Sequence, residues 1–244
     1  MRPWSDIPIV ECADPMVPLP ELLLCLEPHP YQTLSAPYGP AATPFCLRKQ
    51  VVQRLIQAQG QLQLRCPEWR LAVFDGWRPL AVQAFMVRHT LAEQCKQRGI
   101  DPLQSSIDRD RVVEEVMRFW ASPSEDPATP PPHSTGAAVD LTLAQIDGSV
   151  LTMGSAIDAI GDVSEPDHFL HQAERCSDAG LRQDYLLWHR RRRSLREAME
   201  SAGFVQHPNE WWHFSWGDQL WAWRSGNPSA CYGRVSEAAS RLKT

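Results

Sequence analysis

Apolar residues fall at Leu47, Val51, Val52, Leu55 and Ile56, and this spacing of three and four predicts an amphipathic helix over Leu47–Ala58. Leu71 to Phe74 is instead a continuous apolar run closed by Asp75-Gly76, the mark of a buried strand. Pro79 suits the start of a helix running to about Gly99, because its missing N–H costs nothing there. A further helix is predicted over Arg109–Trp120. Between Ala137 and Leu143 the period changes to two, with Val139, Leu141 and Leu143 on one side and Ala138, Asp140 and Thr142 on the other. Such a strand offers one face to the core and one to chemistry. Asp147-Gly148 predicts a hairpin turn into a short strand at Val150-Leu151. Gln183–Ala202 reads as a long helix stopped by Gly203, and Phe204-Val205 and Trp211–Trp216 as strands.

The remaining stretches punctuate these elements. Residues 1–43 are irregular and rich in proline, with turn chemistry at Pro37, Gly39 and Pro40. Pro123–Pro132 carries five prolines and is a loop too short to link domains. No internal repeat is present, and 244 residues fit one domain spanning 1–244. Helices and strands that do not alternate regularly, with hairpins among them, predict an α+β fold: a largely antiparallel central sheet flanked by helices.

Composition narrows the function. An apolar fraction of 43% and a charged fraction of 22% are ordinary for a globular protein. A net charge of −5 and a pI near 5.9 argue against nucleic acid as a partner. The basic run Arg190–Arg193 reads as the solvated face of a helix, with a phosphate patch as the alternative. No segment resembles a secretory leader or reaches membrane-spanning length, so the expected location is cytoplasmic. Seven scattered cysteines, without a Cys-x-x-Cys pair, fit reduced thiols better than disulfides or thiolate zinc sites.

One set of residues has the composition of a catalytic metal site. His133 and Asp140 lie seven apart, and His213 follows within Glu210-Trp211-Trp212-His213. Two imidazoles and a carboxylate leave the fourth position of a tetrahedral zinc open for water. Glu210 is the candidate general base beside that water. On an ideal strand residues 210 and 213 point to opposite faces, so Glu210 must sit on a turn, which Pro208-Asn209 supplies. Singly, each of these residues would equally suit a packed histidine or a solvated acid.

The motifs together resemble a known family. Pro132-His133-Ser134-Thr135-Gly136-Ala137-Ala138-Val139-Asp140 is similar to the His-x-x-Gly-x-Ala-x-Asp signature of the D-Ala-D-Ala metallopeptidases, and Glu210 to His213 to their Glu-x-x-His. Asp75-Gly76-Trp77-Arg78-Pro79 resembles their Asp-Gly-aromatic-Arg-Pro element. The similarity is greatest to the VanX-type D-alanyl-D-alanine dipeptidase branch and runs from about Tyr38 to Tyr232. It implies a hedgehog-like fold, one zinc ion per chain on His133, Asp140 and His213, and Glu210 as base. It also implies that Arg78 stabilises the oxyanion and that Asp158 reads the free amino group of a small dipeptide. Apart from the resemblance, Arg78 would serve as an anchor of the strand-to-helix turn and Asp158 as a helix cap or solvated side chain.

The implied reaction is hydrolysis of D-alanyl-D-alanine to two D-alanines. A D,D-carboxypeptidase acting on longer peptidoglycan stems and a non-catalytic metal-binding module are the alternatives. One position departs from the family pattern: Pro131 stands where serine is common, two residues before His133, and brings neither hydroxyl nor N–H. His168 and His171 are expected to hold no metal, and His29, His89, His189 and His207 are expected at the surface. The tryptophans at 211, 212, 216, 221 and 223 are expected in the core or the pocket wall.

Overall fold

A computed structural model describes residues 2–39 and 42–235. Two sheets order it. Strand β1 (Met16–Pro18) pairs antiparallel with β3 (Cys46–Arg48). The main sheet runs β2 (Leu24–Cys25), β4 (Trp69–Asp75), β5 (Ala138–Gln145), β7 (His213–Ser215) and β6 (Val205–Gln206). Only the β2–β4 pair in it is parallel. The helices are α1 (Pro30–Thr33), α2 (Lys49–Arg65), α3 (Leu80–Gln97), α4 (Ile107–Phe119), α5 (His168–Arg175), α6 (Ala179–Ser201) and α7 (Gln219–Ser225). This is the mixed α+β architecture the pattern predicts, with a mainly antiparallel sheet.

The sheet separates two apolar clusters. On one face Val51, Leu55, Ala58 and Leu62 of α2 and Leu195, Ala198 and Met199 of α6 pack with Leu71, Val73, Val139, Leu141 and Leu143 of the central strands. The period of two on β5 thus sorts as predicted. Its other face is also buried, however: Ala138, Asp140, Thr142 and Ala144 are covered. The second cluster, in which α3 and α4 meet around Tyr31, Tyr38, Val82, Met86, Val116 and Trp120, closes over that side. Asp140 lies in the space between.

Several boundaries differ from the pattern. Leu47 belongs to β3, because Arg48 N–H bonds Gly136 O and Lys49 N–H bonds Pro15 O before the helix begins. Val150 makes a single bridge to Ala144 in place of a strand. Trp211 and Trp212 stay in a turn and leave only His213–Ser215 in β7. The helices α5 and α7 arise where the pattern predicted none. Asp218 caps α7 by accepting from Trp221 N–H, and Asp178 starts α6 four residues early by accepting from Leu181 N–H. Within the irregular N-terminal segment, β1, β2 and α1 are short, and Gly39 takes a positive φ; Pro40 lies outside the described residues. Among the described residues no helix is long and apolar enough to cross a membrane.

Candidate metal centre

Strand register brings three acidic and imidazole side chains into line. Asp75 on β4 is opposite Asp140 on β5, which is opposite His213 on β7. A bulge between Val73 and Asp75 puts two β4 residues against one of β5 and re-aims Asp75. His133 arrives from a 3₁₀ turn, Pro132–Thr135, immediately before β5. That turn ends at Gly136, whose φ of +71° favours glycine and whose missing side chain leaves room for the end of Met16. Arg78 N–H bonds His133 O at 3.2 Å, so the strand-to-helix turn after β4 and the histidine turn are held together.

His133 Nε2 lies 3.2 Å from His213 Nδ1 and 3.1 Å from Asp140 Oδ2, and His213 Nδ1 lies 3.1 Å from Asp140 Oδ1. One donor atom from each of the three residues fits within 4.8 Å, and all three residues are buried. The opposite ring nitrogens fix the tautomers. His133 Nδ1 donates to Gly76 O at 2.7 Å. Ser215 Oγ donates to Asp218 Oδ2, which leaves it to accept from His213 Nε2 at 3.3 Å. The inward nitrogens therefore carry lone pairs. Two lone pairs and a carboxylate at these distances require a cation between them, a shared proton or a metal ion. Asp140 Oδ1 is buried and without a hydrogen bond, which leaves its lone pairs open to such a cation. The set fits zinc, and the Gly76 and Ser215–Asp218 contacts are the outer partners that orient imidazole ligands.

The charges around this point are strongly displaced. Burial would raise the Asp140 carboxyl, but where His133 and His213 carry protons without a metal, their charge and hydrogen bonds outweigh burial and hold it well below the carboxylate range. Burial, then the charge of Asp140, push Glu210 well above its ordinary value, with Arg2 opposing. Glu210 sits in the turn after His207, with Oε2 3.6 Å from His213 Nδ1 and Oε1 unpartnered. The turn therefore resolves the face problem that an ideal strand would pose. Asp158, at φ +63°, is raised to about 7 by burial and by Asp140, against Arg78 and a 2.6 Å bond from Tyr31 Oη. It caps no helix.

Arg78 is buried at the far wall. Its Nε donates to Asp75 Oδ2, Nη1 to Gln83 Oε1, and Nη2 to Tyr31 Oη and Asp140 Oδ2. Tyr31 and Trp120 each place a ring 5.0 Å from its guanidinium carbon. Arg78 is thus both an anchor of the turn and a cation beside the candidate ligands. A narrow cleft collects Arg78, His133, Asp140, Asp158, Glu210 and His213.

Five expectations need correction. His29 and His207 are not at the surface: each is 2% exposed, His29 donating to Asp75 and His207 walling the cleft beside Glu210. His189 is buried against Asp167 as well. Arg192, assigned to a solvated face, turns inward and is 1% exposed. It donates to Met153 O, Val163 O, Glu165 O and Ser155 Oγ, and so pins the segment that carries Asp158. Tyr31, Asp75 and Arg2 also belong to the site although the sequence did not single them out. Only Asp75, inside the Asp-Gly-Trp-Arg-Pro motif, carried a signal. Of the five late tryptophans, Trp223 is 40% exposed and packs against Trp4.

Residues 25–229 match the family model described as D-ala-D-ala dipeptidase. The chain is 42% identical over 243 residues to the D-alanyl-D-alanine dipeptidase of Synechocystis sp., covering 96% of this chain and 97% of that protein. It is 31% identical over 151 residues to the D-alanyl-D-alanine dipeptidase of Enterococcus faecium, covering 61% and 63%. A solved structure of a VanY D,D-pentapeptidase mutant with Zn(II) aligns over 93% of this chain and 96% of that one, at 15% identity and a TM-score of 0.45.

Proposed function

Because this chain belongs to the D-Ala-D-Ala dipeptidase family and is a peptidase, we propose that it hydrolyses D-alanyl-D-alanine to two D-alanines, with one zinc ion on His133, Asp140 and His213. The observation that carries this reading is the convergence of two imidazole lone pairs and the Asp140 carboxylate on one point, with the Glu210 carboxyl 3.6 Å from His213. A zinc ion there would polarise the scissile carbonyl and acidify a water molecule.

The other tasks fall to side chains. Glu210 takes the proton from the attacking water and returns it to the leaving amine. A carboxyl raised by burial suits both halves, since it holds the proton long enough to pass it on. Arg78 stabilises the negative charge that develops on the carbonyl oxygen, and its four protein contacts keep it from reorganising when that charge appears. Asp158, held by Tyr31 and by the Arg192-pinned segment, faces the ammonium of the substrate. An anion at that place favours a free dipeptide over a longer chain, whose amide nitrogen bears no charge.

The test is D-alanine release from D-Ala-D-Ala by zinc-loaded protein, beside N-acetyl-D-Ala-D-Ala and a Glu210→Ala variant. Release from the free dipeptide alone, lost in the variant, is the expected result. Release from the blocked peptide would favour a carboxypeptidase acting on stems. Absence of release from either, with zinc bound, would overturn the peptidase reading of these residues.

A further inference from the structure

A dipeptide brings a carboxylate as well as an ammonium, and that carboxylate must enter a cleft already lined by Asp140, Asp158 and Glu210. Burying it there without a cation would be costly. The obvious donors are taken. Pro131 and Pro132 bring no N–H, and Pro131 O accepts from both Ser134 N–H and Ser134 Oγ. Arg78 has one Nη1 N–H beyond its four protein bonds, which the oxyanion role takes up, and the Gln83 amide donates to Ala121 O.

One cation with an open donor remains among the described residues of the cleft. Arg2 Nη2 is buried and has no hydrogen-bond partner. The position is built. Trp4, 7% exposed, lies under the guanidinium at 5.5 Å, packs edge-on against His207 and lies tilted against Trp223. Gln219 Nε2 donates to Ser5 O and Ile7 O, and Ile9 and Val10 bond along Ala230. The segment from Arg2 to Val10 is thus laid over α7 and ends with its guanidinium on the Glu210 side of the cleft. His207 supports the same end. Its Nδ1 accepts from Asn209 N–H, which assigns the proton to Nε2, also buried and unpartnered. Arg78 and Tyr31 stand instead at the Asp158 side.

We propose that Arg2 is the residue that binds the C-terminal carboxylate of the substrate, so that Asp158 and Arg2 read the two charged ends of one zwitterionic dipeptide. This assignment rests on the dipeptidase reading. It makes the free carboxylate a requirement of binding and the unpaired guanidinium a waiting half of a charge-assisted bond.

The test compares D-Ala-D-Ala with D-alanyl-D-alaninamide in zinc-loaded wild type, Arg2→Gln and Arg2→Lys. Arg2→Gln should raise KM for the dipeptide about 10- to 100-fold, the range for a lost hydrogen bond to a charged group. Its loss in kcat/KM should be about 10-fold or more greater for the dipeptide than for the amide, and Arg2→Lys should recover part of that difference. Equal losses on both substrates, or no loss on the dipeptide, would overturn the proposal. Calorimetric titration of D-Ala-D-Ala into the Glu210→Gln protein, with and without Arg2→Gln, reads the same contact without turnover. Arg2-dependent binding in a chain whose wild type hydrolyses nothing would sink the dipeptidase reading and keep Arg2. Turnover with Arg2-independent binding would do the reverse, and absence of binding would overturn both.

Discussion

The two sides of the cleft are built on opposite principles. On the β4 side, Asp75 accepts from His29, Tyr38 and Arg78, and Arg78 in turn reaches Gln83, Tyr31 and Asp140. His29 Nδ1 and Asp140 Oδ1, the latter facing the candidate metal position, are exceptions in an otherwise paired network. On the β7 side, Glu210 Oε1, His207 Nε2 and Arg2 Nη2 are all buried and all unpartnered. A paired buried polar network fixes geometry, because each member is costly to displace. Unpaired buried atoms destabilise the fold by about 1–3 kcal/mol each and persist where a ligand completes them. The difference separates a wall that positions from a wall that receives.

The sharpest way to break this contrast is to change one residue on each side and read both activity and stability. Glu210→Gln should lower kcat by about 10²- to 10⁴-fold, the scale of general acid–base catalysis, without lowering the thermal midpoint or the zinc content. A matching fall in the midpoint would mean that Glu210 is structural. Asp75→Ala on the opposite wall should cost about 3–5 kcal/mol in chemical denaturation, because it leaves the buried Arg78 without its main anion. A smaller cost falls on His29→Leu, about 1–3 kcal/mol, since it removes one of three donors to Asp75.

The smallest effect concerns pH in the metal-free protein. Asp158 is raised to about 7 by burial and by the charge of Asp140, above an unfolded value of about 4. A raised acid favours the folded state at low pH, and that contribution is lost as pH climbs from about 4 through 7. Asp158→Asn should therefore gain stability over wild type at pH 8 and show no gain at pH 4. Denaturation midpoints at the two pH values measure it, and parallel curves would contradict the assignment.

The sequence revealed these walls unequally. The period of two from Ala137 to Leu143, the Pro79 helix start and the Pro208-Asn209 turn are local signals, and each bears on the position of a candidate site residue. Asp140 was legible because its strand alternates; His133 and His213 were legible through their motifs. Arg192 and His207 were misread because their burial depends on partners far along the chain: Met153 and Val163 for one, Trp4 for the other. Arg2 gave no signal at all, since a basic residue among prolines looks the same whether it faces water or a cleft. The short helix α5 escaped for a different reason: eight residues with two apolar contacts inward, Phe169 and Ala173, are too few to show a period.

The contact of His133 with His213 spans 80 residues of chain. A metal ion bound across it would act as a reversible cross-link closing that long loop, and the cost of closure grows with the length spanned. The donor atoms meet only after β4, β5 and β7 have aligned, so an unfolded chain presents them far apart and binds the ion weakly. Ion capture would then come late in folding and act as a latch: a chain that has assembled the wrong strand order would be left unlatched and easier to unfold and degrade.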